Sequence, residues 1–273
     1  MRRGQFTESY GPSIAAGEAI AAAGRPDLAY GCWANAASAA TAAGEHHRAL
    51  EFIDRGSVAI AGKGLQSLEI HLWAARSFVL RALGQLVEAE RAAETEQTLA
   101  ERLGQPELLA MASHDRGLTA LAAGEFAVAA TLLAGSLVPA GAPISRPVTR
   151  LALAEALALG GQPDAAAEQL RATVLEPVRP SDFPAALVPR LTRVQGLIAL
   201  ARHDRAEARR RLTEAIAGWE RLVERTVRAD SITGVLADLG RPVVGLVTPE
   251  DELERAQAEL GQIAEGDPNA VVP

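Results

Sequence analysis

"RALGQLVEAERAA", residues 81–93, places a glycine in the middle of otherwise good helix-forming sequence. Steps of twenty from Gly84 land on glycine in both directions: Gly24, Gly44, Gly64, Gly84, Gly104 and Gly124. A helix terminus favours a left-handed residue, a conformation that costs glycine nothing. Each of these glycines therefore ends one helix and lets the next begin shortly after. The spacing predicts helices of about 16 residues, and two neighbours form an antiparallel pair of about 40.

Other features keep the same phase. Trp33 and Trp73 each stand eleven residues before a turn glycine, Gly44 and Gly84. Five residues after the turn comes a small residue: Ala49, Ala89, Ala129 and, after Gly161, Ala166. Small residues there let two helices approach closely. The period then loosens: His203 takes the glycine place in "ARHDRAEARRRL", with Ala208 in the small place, and Gly117 and Gly196 both precede their turns by seven residues. An ordinary bundle with glycine turns would not require tryptophan at one phase or alanine at one offset, so a stacked helical array is expected.

These marks resemble the tetratricopeptide repeat (TPR), whose helix pair carries a large residue, Leu-Gly, a Gly-x-aromatic turn and then Ala. "GLTALAAGEFAVAATLL" (Gly117, Gly124, Phe126, Ala129, Leu133) is the best copy, and "CWANAASAATAAGEHHRALEFI" (Trp33, Gly44, Ala49) the second. The likeness covers roughly residues 27–223, as five units. Leu-Gly becomes Ala36-Ala37 in the first unit and Arg76-Ser77 in the second, which favours a longer-helix variant. The resemblance implies an all-α, right-handed TPR-like α-solenoid of about five helix pairs, with a half-repeat at 1–26, the array at 27–226 and a capping region at 227–273. In composition and in the style of "AEARRRLTEAIAGWERL", the chain also resembles the TPR-like region of large ATP-dependent LuxR-type bacterial regulators.

Two connections break the rhythm, "LVPAGAPISRP" (137–147) and "EPVRPSDFPAALVP" (176–189). The prolines of the second are expected to exclude helix there. After "GWERLV" the pattern decays through "ADSITGVLADLG" and "RPVVGLV". A last helix is expected from Thr248 as N-cap, Pro249 in the first helical place and Asp251 closing a capping box. Leu253, Ala256, Leu260 and Ile263 then form one apolar stripe, as a cap over the array needs.

Composition narrows the function. The chain is 48% hydrophobic but only 4% aromatic, which suits closely packed helices better than sheets. A net charge of −7 argues against a broad nucleic-acid surface. The single cysteine, Cys32, excludes an intrachain disulfide and a cysteine-rich zinc site. "MRRGQFTESYGPS" lacks the apolar run of a signal peptide, and the uncharged run 127–145 is broken by prolines and glycines, so a cytoplasmic protein without a membrane span is expected.

No catalytic constellation emerges. "GSVAIAGKG" (56–64) fails as a phosphate loop, because its spacing is too long and Gly64 stands where Ser or Thr should be. His46 and His47 are adjacent and cannot both grip one metal on a helix, and His71, His114 and His203 are isolated. Glu88, Glu90, Glu94, Glu96 and Glu101 are expected on a solvated outer face. The expectation is a non-catalytic protein with no cofactor and no metal.

The inner surface remains. In TPR-like arrays the first helix of each pair lines the concave side, and that projection nominates His71, Phe78 and Arg81, then Met111, His114 and Leu118, then Glu155, then Arg190 and Arg193. Arg76 and Arg116, forty residues apart, could meet a carboxylate ligand in bidentate fashion, or instead pair with local acids such as Asp115. The first unit's inner places (Gly31, Ala34, Ser38, Thr41) lack the Lys and Asn of a chaperone-tail carboxylate clamp. The resemblance thus implies a scaffold that takes a peptide or protein segment in its groove, with no direct nucleic-acid contact. A small-molecule sensor lidded by the two proline loops is the alternative.

Overall fold

The computed structural model of the protein describes residues 11–137, 146–175, 187–228 and 249–265. All regular structure among these residues is helical. The twelve helices are α1 (Gly11–Ala22), α2 (Pro26–Ala42), α3 (His46–Ile60), α4 (Gln66–Ala82), α5 (Leu86–Leu103), α6 (Pro106–Ala122), α7 (Phe126–Ser136), α8 (Arg146–Leu159), α9 (Pro163–Leu175), α10 (Leu187–Ala201), α11 (Arg205–Arg228) and α12 (Pro249–Glu265). Each of α1 to α11 packs on the next in sequence, and α12 packs on α11. The tightest contacts are within the pairs α2/α3, α4/α5, α6/α7, α8/α9 and α10/α11. First helices also touch across pairs: α4 on α6, α6 on α8, and α8 on α10.

One turn motif makes all five pairs. At the end of α4 the Gly84 N–H donates to the Arg81 carbonyl at 3.0 Å, and the Gln85 N–H donates to the Leu80 carbonyl at 2.9 Å. These bonds satisfy carbonyls that the helix end leaves open, and they require a left-handed residue at the centre; Gly84 has φ +72°. The same two bonds recur around Gly44, Gly124, Gly161 and His203. His203, at φ +62°, is the only non-glycine with positive φ among the described residues. Beyond it, the Asp204 carboxylate accepts the Glu207 N–H at 3.1 Å and caps α11.

The offsets from these turns fix the packing register. Ala49, Ala89, Ala129, Ala166 and Ala208, each five residues after its turn, are all fully buried. Seven residues before the turns stand Ala37, Ser77, Gly117, Ala154 and Gly196, buried likewise. A Cβ on Gly117 would come within 2.7 Å of Leu133 Cγ, and one on Gly196 within 3.0 Å of Leu212 Cγ. Small residues are therefore set by the helix crossing itself. Trp33 is buried, stacked on Phe52 with centroids 6.5 Å apart, and Trp73 is half-buried beneath the Arg76 guanidinium.

Two expectations need correction. Residues 187–189 are helical, although the prolines of 176–189 argued otherwise: Pro189 lies in the first turn of α10, where its missing N–H has no partner to lose. Pro147 is likewise placed near the start of α8. Glu96 is fully buried rather than solvated, because the helical period puts it on the same face of α5 as Ala89, Ala92, Ala93, Leu99 and Ala100. Thr248, residues 138–145 and 176–186, and the stretches "ADSITGVLADLG" and "RPVVGLV" lie outside the described residues.

Candidate functional site

The first helices grow more enclosed along the chain. On α4, His71 is exposed and Phe78 is half-buried. On α6, nearly every residue from Leu108 to Leu121 is buried, and α8 is buried on almost all sides. Met111 joins an apolar cluster with Ile70, Leu99 and Leu108, while Leu118 packs with Leu121 and Leu133. His114 is buried, with its Nδ1 3.1 Å from Thr149 Oγ1 on α8. Of the nominated inner residues, then, His71 is open to solvent, and Arg76, Phe78, Arg81 and Arg116 are partly so.

Arg76 and Arg116 share a phase and a role. Arg76 reaches back to Asp54 on α3, while Arg116 donates to Glu90 Oε1 at 2.8 Å and to Gln97 Oε1 at 2.7 Å, both on α5. Each ties a first helix to the second helix of the pair before it. Neither pairs with Asp115, which faces Arg81 instead.

Two buried polar clusters lie between the first helices. In the first, Arg81 Nη1 donates to Thr119 Oγ1 at 3.1 Å, and Thr119 lies 3.4 Å from Ser77 Oγ. The Asp115 and Glu96 carboxyls face this group without hydrogen bonds of their own. Burial pushes the Asp115 carboxyl up to about 7, only partly opposed by Arg81. Burial, and then the neighbouring Asp115, also push Glu96 well above its ordinary value. Two carboxyls this close and this dry retain protons that exposed ones would release.

The second cluster joins α8, α10 and α12. Arg193 Nη1 donates to Glu155 Oε1 at 2.8 Å, and Arg193 Nε donates to Glu259 Oε2 at 2.9 Å. Arg193 Nη2 makes a further short bond to Glu259. Arg190 Nη2 donates to Glu155 Oε2 at 3.2 Å. Glu252 lies 3.7 Å from Arg193, and Arg255 lies 3.6 Å from Glu155. Burial alone would raise the Glu155 carboxyl, but Arg193, Arg190 and Arg255 together hold it well below the usual range. Glu259 stays above its ordinary value because burial, helped by the nearby Glu155, outweighs Arg193 and Arg255.

The TPR resemblance nominated Glu155 of the fourth unit and Arg190 and Arg193 of the fifth as inner-surface residues, and the structure brings them into contact. It missed Glu252 and Glu259. Their signal was legible: both share the face of Ala256 and Ile263 at helical spacing, so the apolar stripe of α12 carries two carboxylates within it.

The described residues hold no group of three or more His, Cys, Asp or Glu arranged to hold a metal ion, and no described helix is long and apolar enough to cross a membrane. A pocket of about 230 Å³ opens between α10 and α11, lined by Val188, Pro189, Thr192, Glu214, Gly218, Arg221 and Leu222. No protein-family model matches the chain, and no curated protein matches it.

Proposed function

We propose that the chain is a non-catalytic binding scaffold whose helix pairs stack as a TPR-like right-handed α-solenoid and present their inner face to a peptide or protein segment. One observation carries this reading: the array already holds a helix, α12, whose apolar stripe lies on α11 and whose Glu259 is gripped by Arg193 of α10. Helix-in-groove recognition uses the same ingredients, an apolar stripe for affinity and a few fixed polar contacts for register. The repeated turn motif and the contacts of α4, α6, α8 and α10 along one side support the stacked arrangement. The exposed part of the first helices, from Ser38 on α2 to His71 on α4, is where a further segment would enter. The likeness of the later helices to the TPR-like region of LuxR-type bacterial regulators makes an interaction or sensor role in such a system the natural context.

The test is affinity capture from cell lysate with the wild-type chain beside a Ser38→Glu/His71→Glu variant of unchanged thermal melt. A protein captured by wild type, lost from the variant and rebound when purified supports the reading; equal capture by both sinks it.

The alternative, a small-molecule sensor, draws support from the pocket at Val188 and Pro189, which directly follow the proline-rich connection 176–186. A metabolite that raises the melting temperature of wild type, but not of a Val188→Trp variant that crowds that pocket from its exposed rim, would favour it.

A further inference from the structure

Helix α12 follows α11 through residues 229–248 and docks in two ways. Its apolar stripe covers the end of the array, with Leu253 against Trp219 and Leu222, and Leu260 and Ile263 against Ala199, Ala208 and Leu212. Its carboxylates reach the arginines of α10. Near its N-terminal end, beside Glu252, α12 brings Asp251 close enough to His46, at the start of α3, to oppose the downward push of burial on that imidazole.

The ionic half of this contact is uneven. Glu259 is gripped by two nitrogens of Arg193. Glu252 is fully buried, yet neither of its oxygens accepts a hydrogen bond; they lie 4.0 Å from Arg190 Nε and 3.7 Å from Arg193 Nη1. Arg190, itself 2% exposed, leaves Nε and Nη1 without hydrogen bonds. A buried carboxylate and a buried guanidinium that face each other without bonding forgo most of what their burial needs for compensation. The resident helix therefore fits its apolar seat well and its ionic seat only in part.

Taking α12 away exposes a defined surface. Glu155 would remain with Arg190 and Arg193, leaving the ionic patch with one more positive than negative charge. Beside it would lie an apolar strip of Trp219, Leu222, Leu212 and Ala199. That combination fits an amphipathic helix whose buried face carries carboxylates seven residues apart, beside leucine or isoleucine.

We propose that this face of α10 and α11 is a receptor for acidic amphipathic helices, that α12 is its resident occupant, and that a partner helix of that chemistry binds by displacing α12. The proposal rests on the scaffold reading and names the class of partner. Self-occupancy lowers the apparent affinity for any outside helix by the fraction of chains in which α12 is undocked.

The probe is a fluorescein-labelled peptide of residues 249–265, titrated by anisotropy against the full-length chain. A Glu252→Gln/Glu259→Gln chain, whose own α12 is loosened, is expected to bind it about tenfold or more tighter than wild type. Adding Arg190→Gln and Arg193→Gln is expected to abolish that gain. Hydrogen exchange on wild type gives a second reading that needs no variant to fold: an excess of the same peptide made with 13C and 15N should speed exchange in residues 249–265 of the chain, whose fragments then differ from the peptide's in mass. Unchanged exchange, binding indifferent to the two arginines, or a wild-type chain that light scattering shows as a dimer exchanging α12 between copies would each overturn the proposal. Capture at Ser38 and His71 is a separate readout, so this proposal can fail while the scaffold reading stands.

Discussion

Arg193 on α10 grips Glu259 on α12 with two guanidinium nitrogens while its third reaches Glu155 on α8, all three side chains being withdrawn from solvent. One arginine thus joins three helices that are far apart in the chain. An Arg193→Met variant leaves Glu155, Glu252 and Glu259 with too little positive charge. It is expected to lose about 3–5 kcal/mol in urea unfolding near neutral pH. The Glu155 carboxyl is held below its ordinary value, so its stabilisation is present above the unfolded carboxylate value and is lost as pH falls through the folded one. The difference between variant and wild type should therefore narrow in acid. Equal urea midpoints at neutral pH would show the cluster to be energetically neutral.

Asp115 works in the opposite direction. Its carboxyl titrates at about 7 in the fold, because burial outweighs the nearby Arg81. At a pH below the unfolded value both states carry the proton and there is no penalty. Between the unfolded value and about 7 the unfolded chain releases the proton while the folded one keeps it, so stability falls as pH rises. Each unit of such a shift amounts to about 1.4 kcal/mol. Asp115→Asn should flatten this decline and raise the urea midpoint at alkaline pH, with Glu96 still facing Arg81. A variant as pH-dependent as wild type would mean that water reaches Asp115.

Gly117 and Gly31 both lie inside first helices and should respond oppositely to alanine. Nothing lies within 4 Å of a Cβ on Gly31, so Gly31→Ala should stabilise by about 0.8–1 kcal/mol through helix propensity. At Gly117 the added carbon meets Leu133 Cγ at 2.7 Å and the Leu133 backbone nitrogen at 3.2 Å. Overpacking there should exceed the propensity gain and leave a net loss of about 1–2 kcal/mol. Thermal melts of the two variants read this directly, and a stabilised Gly117→Ala would show that α7 can shift away from α6.

His203 holds a left-handed conformation that the other four first-to-second helix turns assign to glycine. His203→Gly should stabilise by about 1 kcal/mol, and His203→Val should destabilise by more than that. A destabilised glycine variant would reveal a contact of the imidazole that outweighs its backbone conformation.

The sequence by itself determined the helices, their turns and the phase at which they meet. These features are local: a left-handed turn needs glycine or a tolerant substitute, and a close crossing needs a small residue. Gly84, His203, Ala89 and Ala208 could therefore be read from spacing alone. Through its TPR resemblance, and not through spacing alone, the sequence also nominated Glu155, Arg190 and Arg193 as inner-facing. It could not say what covers them, because Glu252 and Glu259 come from a helix far along the chain. Nor could it tell that Arg76 and Arg116 turn back to Asp54 and Glu90, since a long side chain at one phase can reach either way. It set Glu96 among solvated acids by composition, whereas the face of α5 that carries it is dry. Which charges are buried, which are paired and which are left over depends on distances between segments remote in sequence, and only the tertiary structure decided them.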